Sequence, residues 1–302
     1  MSQTTEAQLP KTYAVGDATV TKISERILEA VPPDHLYPDW DPREFERHAD
    51  WLVPGNADAD GAHLILSVHS WLVRLNGKVV LIDTGSGNQK NRPRNLPFHQ
   101  QQTPYLERLA EAGVRPEDVD FVLNTHLHVD HCGWNTRLVN DAWVPTFPNA
   151  RYCFSKSDLT YYASEESHNE VNVPSHGVYE DSVAPIVEAG LADTIDANGG
   201  DVLEGLTAVP TPGHSIGHTS FGLTSNGEEA LFGGDTMHHP IQVYRPEWNS
   251  VYCEWHDQAR ASRRWVLDYA AERQLMLFST HFAQTSVGHV VRDGDRYAWR
   301  YV

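Results

Sequence analysis

Four side chains able to hold a metal ion fall within six residues of one another: His126, His128, Asp130 and His131, inside the stretch Asn124–Gly133. In extended backbone, residues two apart share a side, so His126 and His128 point together while Asp130 and His131 fall on the turn that follows. So many polar groups in a short stretch cannot be buried without partners, and imidazole is a preferred zinc ligand. Three later segments each end an apolar run with one side chain of the same kind. They are Thr211-Pro212-Gly213-His214, Phe232-Gly233-Gly234-Asp235-Thr236 and Leu277-Phe278-Ser279-Thr280-His281. Strand ends converging on one edge are a common way for α/β sheets to build a site. Bound divalent cations there would activate water and stabilise developing negative charge, which is hydrolytic chemistry.

The elements that must position these residues are short strands separated by helices. Leu64 to Leu75 and Lys78 to Ile82 flank Asn76-Gly77, a strong hairpin signal, and Asn226-Gly227 and Asp293-Gly294 mark two more. Phe121–Leu123, Leu206–Val209 and Leu275–Phe278 read as short buried strands. Helices are expected after Thr103-Pro104, over Val178 to Ala189, and over Asp257 to Arg273 with Trp265, Val266 and Tyr269 facing the core. Residues 1 to about 60 read as an irregular, proline-interrupted arm or lid carrying Tyr37, Trp40, Phe45 and Trp51, and 61–302 as one layered α/β domain.

Composition removes several function classes. The formal net charge of −18 disfavours a nucleic-acid backbone as partner, and no apolar run is long enough to span a bilayer. Met1 to Pro10 is polar without an apolar leader, and Cys132, Cys153 and Cys253 form no C-x-x-C pair, so a cytoplasmic location is expected. Tyr244, Trp248, Tyr252 and Trp255, with the aromatics of the arm, are expected either to wall an apolar pocket for a small-molecule substrate or to form a homodimer interface through the arm.

The complete His126-x-His128-x-Asp130-His131 motif, followed in order by His214, Asp235 and His281, resembles the metallo-β-lactamase superfamily, and within it the dinuclear hydrolases. Leu81-Ile82-Asp83-Thr84-Gly85 is similar to that family's early Asp-Thr-Gly turn. The resemblance implies a four-layer αββα sandwich over about Ser67 to Val302 with an N-terminal arm outside it. It implies two Zn²⁺ ions (Mn, Co or Fe being alternatives), one on His126, His128 and His214, the other on Asp130, His131 and His281, bridged by Asp235. Asp83 would orient a ligand imidazole from behind. Asp130 and His238 are the candidate catalytic side chains, since a histidine could protonate a leaving alkoxide. Asp235-Thr236-Met237-His238-His239 is closer to methyl parathion hydrolase than to the N-acyl-homoserine lactonases, which carry a tyrosine near this place. His218 and Cys132 read as structural, and His239 as a surface residue. The expected activity is opening of lactones or cleavage of small esters, with aryl phosphotriester hydrolysis, or a mononuclear iron dioxygenase, as alternatives.

Overall fold

Burial along Leu64–Leu75 shows how the layers arise. Trp71, Val73 and Leu75 enter one apolar core while Val68 and Leu72 enter another. A strand buried on both faces has to lie inside a layered stack. The computed structural model describes residues 11–302, so the polar segment Met1–Pro10 and the reading of it as leaderless lie outside the described residues.

The first sheet runs, edge to edge, through β1 (Thr12–Val15), β2 (Ala18–Val31), β3 (Leu64–Leu75), β4 (Lys78–Ile82) and β5 (Phe121–Leu123). After a separate hairpin of β6 (Thr136–Val139) and β7 (Ala142–Pro145), it continues with β8 (Arg151–Ser155) and β9 (Ala192–Ile195). The second sheet follows chain order: β10 (Gly200–Leu203), β11 (Leu206–Pro210), β12 (Thr219–Ser225), β13 (Glu228–Gly234), β14 (Met276–Ser279), β15 (Val287–Asp293) and β16 (Arg296–Tyr301). β4, β5, β8 and β9 are parallel, as are β13 and β14. On the inner face of the second sheet Phe232 stacks on its neighbour Phe278 with centroids 4.9 Å apart, and Trp71 of the first sheet packs edge-on against Phe278.

The helices, in chain order, are α1 (Pro33–Leu36), α2 (Pro42–Leu52), α3 (Tyr105–Glu111), α4 (Lys156–Tyr162), α5 (Ala184–Glu188), α6 (Ile241–Tyr244) and α7 (His256–Arg273). Tyr105, Leu109, Tyr162 and Ile186 cover the outer face of the first sheet, and Val266, Leu267 and Ala270 of α7 cover the second. The result is the expected αββα sandwich.

Three local expectations need correction. Residues 12–31 are not irregular: β1 and β2 complete the edge of the first sheet, β2 pairing with β3 from Thr19 to Val31. Pro32 to Pro54 drew attention away from the alternation in Ala18–Val31, where Ala18 and Val20 face the inter-sheet core. The helix expected over Val178 to Ala189 is a π-turn (Tyr179–Val183) leading into α5, with Pro185 unable to supply the N–H a continuous helix needs. On α7 the buried stripe is Ala259, Arg263, Val266, Leu267 and Ala270, while Trp265 is 39% exposed and stacks on Tyr269.

Candidate metal centre

Five strands end at the same edge of the sandwich, and each delivers one part of the site. β4 runs into Asp83 and β5 into the His126–His131 loop, while β11, β13 and β14 lead to His214, Asp235 and His281. All seven residues expected as metal ligands are brought together there. Oδ2 of Asp235 lies 3.1 Å from His281 Nε2, 3.3 Å from the Nε2 atoms of His131 and His214, and 3.9 Å from that of His126. His214 Nε2 is 2.9 Å from His128 Nδ1 and 3.1 Å from His126 Nε2. Asp130 reaches toward the Nε2 atoms of His131 and His281, at 3.6 Å each.

This donor set fits divalent metal. The groups His126–His128–His214, His126–His131–Asp235 and Asp130–His131–His281 each present ligand atoms within 4.8 Å of one another. Buried Nε2 of His131 and Oδ1 of Asp235 have no hydrogen-bond partner. Burial, reinforced for His126 by neighbouring imidazoles, lowers the pKa of His126, His128 and His214, leaving the neutral form that binds metal. Burial opposes a charged His131, yet Asp235, Asp83 and Asp130 together raise its pKa well above the ordinary value. That end of the site is rich in negative charge.

A layer of hydrogen bonds holds the donors. Asp83 accepts from Thr125 N and Thr125 Oγ1, each at 2.8 Å, and its Oδ2 lies 2.9 Å from His131 Nδ1, the orienting contact expected of it. His281 Nδ1 is 2.9 Å from Ser67 O. Sequence reasoning placed His218 as structural without finding its role. Its Nε2 accepts from Asp235 N at 2.8 Å, and a Cβ on Gly234 would sit 2.5 Å from that nitrogen, so only glycine permits the contact. Sequence reasoning also missed Arg263, fully buried on α7, which donates to Thr236 O, Pro246 O and Asn249 Oδ1 and ties down the loop beyond Asp235. A helical stripe containing one arginine among apolar residues was the available signal.

His238 does reach the site. Its Nε2 lies 3.3 Å from Asp235 Oδ2 and 3.3 Å from Ser250 Oγ, its Nδ1 has no partner, and burial lowers its pKa. Its backbone N–H donates to Gln242 Oε1, which also accepts from Tyr37 of the arm. His239 is not on the surface: it is fully buried, with Nε2 2.8 Å from Asn56 O. Cys132 packs as expected, its buried Sγ donating to His128 O.

A cavity of about 230 Å³ opens over Asp130, Asp235 and His281. Its wall is mainly aliphatic, with Leu28, Val31, Leu36, Pro97, Phe98 and Val129 prominent, and among the described residues none lining it is Lys or Arg. The aromatic wall expected from the sequence is mostly absent. Only Tyr252 of that set lines the cavity, because Tyr37 and Trp40 pack on Trp248, and Trp51 stacks on Tyr244.

Residues 65–281 match the metallo-β-lactamase superfamily, and the chain belongs to that family. Among curated relatives, an N-acyl homoserine lactonase from Bacillus cereus is 26% identical over 180 residues, covering 56% of this chain and 60% of that protein. The uncharacterised protein YobT of Bacillus subtilis is 30% identical over 122 residues, 38% of this chain and 45% of its own length, so both matches span less than two thirds of the relative. Two solved structures share the fold nearly end to end. A hydrolase of the β-lactamase superfamily, AbOPH, superposes with a TM-score of 0.82 at 24% identity, over 99% of both chains. AidC, a dizinc quorum-quenching lactonase solved with a product, gives 0.79 at 20% identity, over 97% of both.

Proposed function

We propose that the chain is a metal-dependent hydrolase with a dinuclear zinc centre that opens lactones or cleaves small neutral esters. The observation that carries this reading is a cavity with a mainly aliphatic wall and, among the described residues, no Lys or Arg, leading directly onto the His/Asp cluster. An anionic substrate would find no Lys or Arg among the described wall residues to pair with, whereas a neutral ester with an apolar tail loses little on entry. His126, His128 and His214 would hold one ion, Asp130, His131 and His281 the other, with Asp235 shared. Zn²⁺ so held lowers the pKa of water toward neutrality and polarises a carbonyl; Mn, Co and Fe suit the same donors.

The chain's own groups handle the protons. Asp130 is the most open of the seven, its side chain 17% exposed and facing the cavity, so its carboxylate can accept the proton that water gives up on attacking the carbonyl carbon. As the ring C–O bond breaks, His238 Nε2–H can hydrogen-bond the departing oxygen, and the proton held on Asp130 completes the alcohol. Water's hydrogens thus end on the carboxyl and hydroxyl groups of the product. Three buried free thiols suit a reducing cytoplasm, and among the described residues no helix is long and apolar enough to cross a membrane.

The same wall, without Lys or Arg among its described residues, suits neutral aryl phosphotriesters as a second reading. The complete Asp130–His131–His281 group argues against a one-metal dioxygenase. The test is proton release from a panel of γ- and δ-lactones by zinc-loaded and chelated protein. Metal-dependent turnover supports the lactone reading, and silence with zinc bound moves it to acyclic esters and phosphotriesters.

A further inference from the structure

Glu25 lies on β2, in the part of the chain that precedes the family match, and is buried at 2% exposure. It is a bulged residue: Ser24 pairs with His69 and Arg26 with Val68, leaving Glu25 without a strand partner. A bulge re-aims a side chain, and this one aims a carboxylate into the loop that follows β4. Oε2 accepts from Ser86 N at 2.6 Å and Ser86 Oγ at 2.8 Å. Oε1 accepts from Gly87 N at 3.1 Å, Trp134 Nε1 at 2.6 Å and Gln101 Nε2 at 3.3 Å. All of these donors are neutral, and a buried carboxylate without a cation is costly unless such bonds satisfy it. A Cβ on Gly85 would stand 2.3 Å from Oε2, so the loop passes the carboxylate at glycine distance.

The two loops gripped by Glu25 are also zipped to each other. Thr84 N donates to His131 O and Gly133 N to Gly85 O, both at 2.7 Å, and Trp134 N donates to Thr84 O at 2.9 Å. One loop begins at Asp83 and the other at His131, and the two side chains meet 2.9 Å apart. We propose that Glu25 is a positioning residue of the metal centre, clamping the Asp83 and His131 loops together so that His131 presents Nε2 to the metal it shares with Asp130 and His281. This rests on the dinuclear reading above. The side chains of His128 and His214 lie outside the clamp and that of His126 meets it through Thr125, whose Oγ1 donates to Asp83, so its loss acts unequally on the two metal positions.

The variant Glu25→Gln keeps the size but turns an amide N–H toward groups that are themselves donors. In a zinc titration against a competing chelator, one of its two equivalents should bind about tenfold or more weakly than in wild type, the other shifting by less than about threefold. The visible spectrum of the dicobalt form should change in the contribution of the ion held by Asp130, His131 and His281, and Glu25→Asp should recover part of the affinity. Wild-type affinity for both equivalents overturns the proposal, as does equal weakening of both alongside a lower Tm of the metal-free protein, which marks a merely structural role. Should Glu25→Gln not fold, Trp134→Phe, which removes one donor from the same carboxylate, is judged by the same criteria. Wild-type protein that takes up one equivalent overturns the dinuclear reading itself, a different failure from wild-type binding of both ions by the variant.

Discussion

The floor of the cavity and its wall are built on opposite plans. The floor is polar, made from five strand ends, and several of its donors have a second contact behind them, as His131 has Asp83 and His281 has Ser67. The wall is aliphatic and is gathered from the end of β2, from α1 and from loops near Phe98, Val129 and Pro174. Geometry set by many hydrogen bonds tolerates almost no substitution, whereas an apolar wall asks only for volume and tolerates exchange. The floor should therefore carry reaction chemistry and the wall substrate preference.

The hardest test of this division is removal of a floor residue. Asp235→Asn or His126→Ala should cost about a thousandfold or more in kcat/KM, measured by proton release at saturating zinc, and chelation of the wild type should abolish turnover until zinc is restored. A variant that kept its rate would dissolve the distinction. His238→Asn should lower kcat by about a hundredfold with KM little changed, because the contact is made as the leaving oxygen gains charge. On the wall, Phe98→Ala should leave kcat for a short-chain lactone near wild type while lowering kcat/KM about tenfold for a long-chain one. Equal losses across the chain-length series would show the wall shaping the floor.

The smallest effect on turnover is expected at Asp158 on α4, which accepts from Ser215 Oγ and Gly217 N and so holds the His214 loop from behind. Burial pushes its pKa from 3.8 to about 7. The folded protein then keeps a proton that the unfolded chain gives up, so stability falls as pH rises across that interval. In Asp158→Asn that fall should be reduced, as read from Tm against pH.

The floor was far more legible in the sequence than the wall. His126, His128, Asp130 and His131 could be found because they cluster after one apolar run, and His214, Asp235 and His281 because each ends another, and strand ends converge whatever the long-range packing. Asp83 was legible for the same reason. Its supports were not: Glu25 and Ser86 are 61 residues apart, and Arg263 reaches Thr236 O, just beyond the ligand Asp235, from 27 residues away. The aromatics misled because Tyr37, Trp40 and Trp248 satisfy one another, leaving Leu28 and Leu36, ordinary aliphatics, to face the cavity. β2 was missed where its bulge at Glu25 breaks the two-residue alternation.

The absence of Lys and Arg from the described cavity lining also bears on traffic through it. A neutral ester is not steered by a protein of net charge −18, so its rate of encounter should barely respond to ionic strength. On the proposed ester reading, hydrolysis would then turn the occupant into a carboxylate, and the same indifferent wall that admitted the substrate would offer the anion no place to linger once it left the floor.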